Sequence, residues 1–305
     1  MRIGTVHIGG RERVACVTGD PVAATGGVLV PESFGDLVSI IEGGAVALSQ
    51  VREYHQGANA ETFLLKDARL LAPIRRFRRD VLCTGWNYWD HFYESEGKRE
   101  GQDMPKPDAP TFFTKAPDVT IGPWDDIAYD SRVSPKWDYE AEIVVVIGKT
   151  GRSIPRNKAM EHVFGYCLAN DVSQRDLQRR HGAQWFKGKS IDHSMPLGPW
   201  ITLRDDIDIP SVKLEFELNG TLMQSALASQ MAFPIDELIN ELSFGMTLHA
   251  GDVLLTGTPS GIGNARTPPV FLKAGDLLVT RGSGLGELRN TMRETVLSQY
   301  LVGEV

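Results

Sequence analysis

Cysteine is scarce in this chain: Cys16, Cys83 and Cys167 are the only three in 305 residues, widely spaced and odd in number. No C-x-x-C spacing occurs, so neither a zinc site nor a disulfide framework is indicated. No run approaches the roughly 18 apolar residues of a membrane span, and residues 1–10 lack the basic-then-apolar order of a signal peptide. A cytoplasmic protein without membrane contact is the expectation. Positive charge is also short. Thirty-two Lys and Arg against 39 Asp and Glu leave a formal net charge of −7, which argues against a general nucleic-acid partner. The dense basic tract Arg75-Arg76-Phe77-Arg78-Arg79 reads as a solvated segment bridging two domains. The G-x-S-x-G elbow, H-E-x-x-H and G-x-G-x-x-G between strand and helix are all missing, and the Gly257–Gly263 loop lacks the GK[ST] ending of a Walker phosphate loop. Serine-hydrolase, zinc-protease and dinucleotide chemistries therefore lack support.

What is present is an ordinary globular composition, 42% hydrophobic and 23% charged, with length enough for a sizeable core. Residues 1–75 read as a small β-rich domain with helices, ending at Pro73 and the arginine tract; residues 76–305 form the second. Ile3–Ile8 and Val14–Thr18 flank Gly9-Gly10, a hairpin signal. Ser33 is placed to cap a helix carrying Phe34, Leu37, Val38 and Ile41, stopped by Gly43-Gly44. Beyond residue 76, strands are expected at Val81–Gly85, Ile143–Ile147, Val163–Ala169, Val212–Leu218 and Asp252–Thr256, with a helix opened by Pro234. This is a strand-dominated mixed α/β pattern, a β-sandwich or roll and not a doubly wound sheet.

The chemistry centres on Asp138-Tyr139-Glu140-Ala141-Glu142 ahead of the buried run Ile143–Ile147. Residues two apart in a strand share a face, which puts Glu140 and Glu142 side by side at about 7 Å along the chain. Such a pair sits either at a solvated strand end or around a divalent cation. His91 and Glu94, three apart, share a helix face and form either a surface pair or an oriented base. The polar stretch from Glu94 to Pro110 is either an idle loop or a mobile cover. Asp171 follows a strand and precedes a polar helix, so it is a helix cap or a third carboxylate. Arg175 and Gln178 share a face of that helix, and either Lys187 or Lys189 could be held inward. The Gly257–Gly263 loop could bind an anion through its amides and the Thr258 hydroxyl. An all-oxygen carboxylate set favours Mg²⁺ or Mn²⁺ over zinc.

Together, Gly85-Trp86-Asn87-Tyr88 with His91 and Glu94, Tyr139–Glu142, Asn170–Ser173, Arg175–Gln178, Gly188–Ser190 and Gly257–Gly263 resemble the fumarylacetoacetate hydrolase family, in its order, across about residues 81–263. The resemblance implies a β-roll fold, a homodimer and a lid over residues 86–104. It implies Mg²⁺ or Mn²⁺ held by Glu140, Glu142 and Asp171, and a small anionic 2-oxo-acid substrate. His91, oriented by Glu94, would activate water, and Lys189 would stabilise the developing negative charge. Arg175, Gln178 and Thr258 would bind the substrate carboxylate. The reading favoured on this basis is hydrolysis of a β-diketo acid such as an acylpyruvate or fumarylpyruvate, because decarboxylation needs no water-activating base. The alternatives share the metal and enolate: oxaloacetate decarboxylation, or keto–enol isomerisation of a hydroxymuconate-type acid. A non-catalytic 2-oxo-acid-binding protein is the alternative from another class.

Overall fold

The computed structural model describes residues 1–19, 24–97, 105–182 and 184–299. Two sheets dominate. The larger runs Glu61–Leu64, Ala24–Leu29, Arg11–Gly19, Arg2–Ile8, Met195–Leu203, Val163–Asn170, Ala141–Ile147, Val253–Leu255, Val81–Gly85 and Thr111–Lys115, with Arg69–Leu71 and Thr120–Ile121 attached off this path. The second has five strands in the order Thr221–Leu227, Lys213–Leu218, Leu277–Gly282, Gly286–Glu294 and Ile127–Tyr129. This is the strand-dominated mixed α/β fold that the pattern predicts. No described helix is long and apolar enough to cross a membrane.

The central strand explains its own composition. Ile143, Val145 and Ile147 face the second sheet and pack with Leu214, Phe216 and Leu278. Val144 and Val146 face the other way, into a core built with Ile3, Val14, Leu37, Ile40 and Ile41. Both faces are covered, so the run has no polar alternation. The β-branched side chains suit a pleated surface packed on both sides.

The first 75 residues do not stand apart. Arg2 and Ile3 pair with Thr202 and Ile201, so the N-terminal strands extend the same sheet and share its core. The arginine tract clasps this junction. Arg75 reaches Glu12 at 3.0 Å and Arg76 reaches Asp36 at 3.0 Å, while Arg79 meets Asp252 at 3.3 Å. The Arg75 and Arg76 pairs are largely exposed and each contributes little, whereas Asp252, the partner of Arg79, is buried.

The hairpin at Gly9-Gly10 and the turn at Asn219-Gly220 both form, with left-handed φ at all four positions. The helix cap is a correction. Asp36, not Ser33, caps Leu37–Glu42, its side chain accepting from the Ser39 N–H at 2.7 Å. Ser33 lies inside a short 3₁₀ turn, Glu32–Phe34, which separates it from the helix. The expected helix after Pro234 is Ile235–Ser243.

One close approach matters for the site. A Cβ on Gly188 would lie 2.2 Å from the Gln178 backbone nitrogen, so helix Arg175–Arg180 and the turn Phe186–Lys189 touch backbone to backbone. That contact seats Lys189. Gly188→Ala is therefore expected to cost about 2 kcal/mol or more through overpacking, and to lower metal affinity by displacing Lys189. Thermal denaturation alongside a metal titration checks both; a variant with unchanged melting and unchanged affinity would show the contact to be dispensable.

Candidate active site

Three carboxylates meet at one end of the larger sheet because antiparallel neighbours begin and end there. Ala141 pairs with Asn170 and Glu142 with Ala169, which brings the start of one strand beside the end of the other. Asp171, one residue on, donates its N–H to the Glu140 carbonyl at 2.7 Å. Oxygen atoms of Glu140, Glu142 and Asp171 all lie within 4.8 Å of one another, and all three residues are buried. Asp171 is therefore not a helix cap; Gln174 occupies that position without a side-chain bond.

Two lysines are buried against these carboxylates. Lys189 Nζ donates to Glu140 Oε2 and Asp171 Oδ2, each at 2.7 Å. Lys187 is the exposed member of the pair. Lys115 Nζ reaches Asp171 Oδ1 at 2.5 Å and the Val172 carbonyl at 3.1 Å. Sequence reading missed Lys115, since a lysine closing a strand looks like a solvated end. Burial alone would pull Lys189 down, but Asp171 and Glu140 outweigh it and hold the ammonium above its ordinary value. Breaking such a buried pair costs about 3–5 kcal/mol.

Arg175 sits beside them, held by two hydrogen bonds and an ion pair. Its Nε donates to Asp138 Oδ2 at 2.8 Å, Nη1 to Gln178 Oε1 at 3.1 Å, and Nη2 lies 2.7 Å from Glu140 Oε1. Asp138 is the second residue that sequence reading left without a role. It also accepts the N–H groups of Gly263 and Asn264, at 2.8 and 3.0 Å.

His91 and Glu94 lie on helix Trp89–Glu94, with Nδ1 and Oε1 2.8 Å apart and His91 buried. A carboxylate only accepts, so in this contact Nδ1 carries the proton, and in the neutral ring Nε2 is the unprotonated nitrogen. The other Glu94 oxygen accepts the Gly261 N–H at 2.7 Å. Asn87 anchors this segment, its amide spanning Phe233 and the Thr256 carbonyl. Residues 98–104 of the anticipated lid lie outside the described residues.

The Gly257–Gly263 loop does bind anions, but they are the protein's own carboxylates. Gly257 donates to Glu142 at 2.6 Å, Gly261 to Glu94 and Gly263 to Asp138. The Thr258 hydroxyl proton goes to the Ala141 carbonyl at 2.9 Å, and Gln224 Nε2 donates to its oxygen at 2.8 Å. Thr258 lines the cleft, yet in this arrangement it has no proton for a substrate carboxylate.

One cleft collects these groups. His91, Glu140, Arg175, Gln178, Lys189 and Thr258 line it, as do Arg179, Asn264 and Thr84. Glu142 and Asp171 form its buried floor. Trp86, Trp185 and Phe113 make the apolar wall, with centroid distances of 4.7 and 5.1 Å to Trp185. The Thr84 Oγ1 is buried without a hydrogen-bond partner among the described residues.

The donor set fits a hard divalent cation. Three carboxylates face two ammonium ions, and Arg175 is balanced by Asp138, which leaves one negative charge in excess. Burial alone would raise Glu140, but Lys189 and Arg175 hold it well below the usual carboxylate range. Glu142 is shown in no ion pair with a cation among the described residues, although the Lys189 charge and the Gly257 N–H favour its ionised form. Burial, then the charges of Asp171 and Glu140, raise its carboxyl well above that range. Of the three, Glu142 is thus the carboxyl whose environment most favours the protonated form, and a divalent ion would compete with a proton there.

A raised carboxyl stabilises the fold below its unfolded value of about 4.3, and that contribution is lost as pH rises through the native value. In EDTA, the melting temperature is expected to fall as pH climbs above the ordinary glutamate range. Glu142→Gln should flatten this limb, and Mg²⁺ or Mn²⁺ should restore stability at its upper end. Glu140, being lowered, acts only on the acid side, where its contribution disappears as pH falls. A wild-type limb with no slope, or one that Glu142→Gln leaves intact, would refute the assignment.

The chain resembles known proteins along most of its length. Residues 80–293 match the family model "Fumarylacetoacetate (FAA) hydrolase C-terminal". The chain is 42% identical over 246 residues to oxaloacetate tautomerase YisK of Bacillus subtilis, covering 79% of this chain and 80% of that protein. It is 40% identical over 256 residues to the mitochondrial oxaloacetate tautomerase FAHD2B of Bos taurus, covering 83% and 78%. Among solved structures, a fumarylacetoacetate hydrolase from psychrophilic Exiguobacterium antarcticum superposes with a TM-score of 0.80 at 35% identity, over 97% of this chain and all of the other.

Proposed function

This chain belongs to the fumarylacetoacetate hydrolase family, and from that premise we propose that it is a divalent-metal-dependent enzyme interconverting the enol and keto forms of oxaloacetate. The observation that carries this reading is the 42% and 40% identity to two oxaloacetate tautomerases over about four fifths of the chain. Those relatives support the isomerase alternative over hydrolysis of an acylpyruvate. The case for hydrolysis rested on His91–Glu94 as a water-activating pair. A tautomerase needs the same pair for a different task, moving a proton between carbon 3 and the enol oxygen.

Each residue has a part in that transfer. His91 Nε2 takes the carbon-bound proton, and Glu94 stabilises the resulting imidazolium through Nδ1–H. Lys189, kept charged by Glu140 and Asp171, places a positive charge beside the oxygen that gains electron density. Mg²⁺ or Mn²⁺, held by Glu140, Glu142 and Asp171, would supply Lewis-acid polarisation of the keto group. Lys115 holds Asp171 in place from the side away from Lys189. Trp86, Trp185 and Phe113 limit water around the reacting carbon, which strengthens these charges.

The test starts from enol oxaloacetate and follows ketonisation with a keto-specific dehydrogenase, with Mg²⁺ or EDTA, and runs acetylpyruvate in parallel. EDTA-sensitive acceleration of ketonisation is expected. His91→Ala should slow it about 100-fold or more while leaving metal affinity unchanged. Pyruvate released from acetylpyruvate without faster ketonisation would replace this reading with the hydrolase. Carbon dioxide as the sole outcome with oxaloacetate would replace it with the decarboxylase.

A further inference from the structure

We infer that the Thr84 hydroxyl binds the ligand of the cleft, donating its proton to an oxygen of a 2-oxo acid seated there. The inference rests on the reading of the cleft as a 2-oxo-acid site and adds a binding residue to it. Two threonines line the cleft, Thr84 and Thr258. The Thr258 hydroxyl is spent inside the protein, giving its proton to the Ala141 carbonyl and accepting from Gln224 Nε2. Thr84 is buried as deeply, at 1% exposure, yet its Oγ1 meets no hydrogen-bond partner among the described residues. A hydroxyl so enclosed loses its bonds to water and gains nothing in exchange, which is costly. Valine has nearly the same outline and would suit a buried strand better. A ligand oxygen in the cleft gives the hydroxyl its reason.

The neighbours of Thr84 tie it to both parts of the cleft. It is the fourth residue of strand Val81–Gly85. Next to it, a Cβ on Gly85 would lie 2.5 Å from the Trp185 ring, so the apolar wall closes directly on this strand end. The Thr84 carbonyl lies 3.2 Å from where a Cβ on Gly257 would sit, and the Gly257 N–H holds Glu142 at 2.6 Å. Thr84 therefore adjoins the wall and the carboxylate floor together. The charged groups of the cleft are bonded to one another: His91 to Glu94, Arg175 to Asp138, and Lys189 to Glu140 and Asp171. A neutral hydroxyl adds a donor for a ligand oxygen without altering the charge balance of the floor. Its bond gains strength from the low dielectric beside the wall.

The test needs no turnover. Oxalate is the probe, an unreactive anion whose two adjacent carboxylates present only acceptors. Calorimetric titration of the Mg²⁺-loaded protein compares wild type, Thr84→Val and Thr84→Ser, and thermal denaturation in EDTA reads the ligand-free forms. Thr84→Val is expected to weaken oxalate binding about 10-fold or more while Mg²⁺ affinity stays as in wild type. It should also raise the ligand-free melting temperature by about 2 °C or more, because the enclosed hydroxyl is gone. Thr84→Ser keeps the donor and most of the affinity. A structural role gives the reverse pattern, with valine lowering the melting temperature and leaving oxalate binding intact, and it overturns the inference. Unchanged affinity in Thr84→Val at any stability assigns the hydroxyl to solvent alone and overturns it as well. Wild type that fails to bind oxalate overturns the 2-oxo-acid reading of the cleft itself, an outcome distinct from a Thr84→Val variant that binds as wild type does.

Discussion

Three carboxylates buried at one end of a sheet cannot remain ionised unless positive charge is buried with them, and most of the local structure answers that constraint. Glu140, Glu142 and Asp171 are each almost inaccessible to water. Desolvating them unaided would cost far more than a domain's whole net stability. Lys115 and Lys189 are drawn in from separate elements and Arg175 from a third, and a side chain on Gly188, next to Lys189, would collide with the Gln178 backbone. The compensation stops one charge short. That shortfall separates a cation-binding centre from a structural ion-pair network, since complete neutralisation would leave a divalent ion little electrostatic reason to bind.

A second constraint couples the acid–base pair to that centre. The loop from Gly257 to Gly263 sends backbone N–H groups to Glu142, Glu94 and Asp138, so one short segment touches a floor carboxylate, the carboxylate that orients His91, and the anchor of Arg175. Its glycines have mechanical reasons. Gly257 has φ +95 and would bring a Cβ within 2.7 Å of Asn87, and a Cβ on Gly263 would meet the Val270 carbonyl at 1.9 Å. Backbone donors cannot wander as side chains do, which fixes the distance between the base and the floor.

Legibility in the sequence follows the range of the interactions. Glu140 and Glu142 could be read because a strand's period of two is local, and His91–Glu94 because a helix's spacing is local too. Asp171 was visible as a carboxylate at a strand end, although only the antiparallel pairing with residues 140–142 excludes the capping role. Lys115 was invisible: its partner lies 56 residues away, and nothing near it distinguishes a buried strand end from a solvated one. The same holds for the N-terminal strands, whose pairing of Ile3 with Ile201 leaves no local trace. Arg175 was found in the right place, but its internal partners were not visible. Proximity can be inferred from a helix face, but whether an arginine is already neutralised depends on Asp138 and Glu140, from another element.

The choice between isomerase and hydrolase is a case of the same limit. Polarising a keto group, holding a proton on imidazole and stabilising an enolate are steps common to both, so the residues at the floor and the dyad cannot separate them. What separates them is the far end of the substrate. A hydrolase must accommodate an acyl group and a water molecule aimed at its carbonyl, whereas a tautomerase of a four-carbon dicarboxylic acid needs only room for a second carboxylate. Trp86, Trp185 and Phe113 give the cleft an apolar wall, and polar side chains line the rest of it. Discrimination between the two reactions therefore has to come from side chains that take no part in the proton transfer.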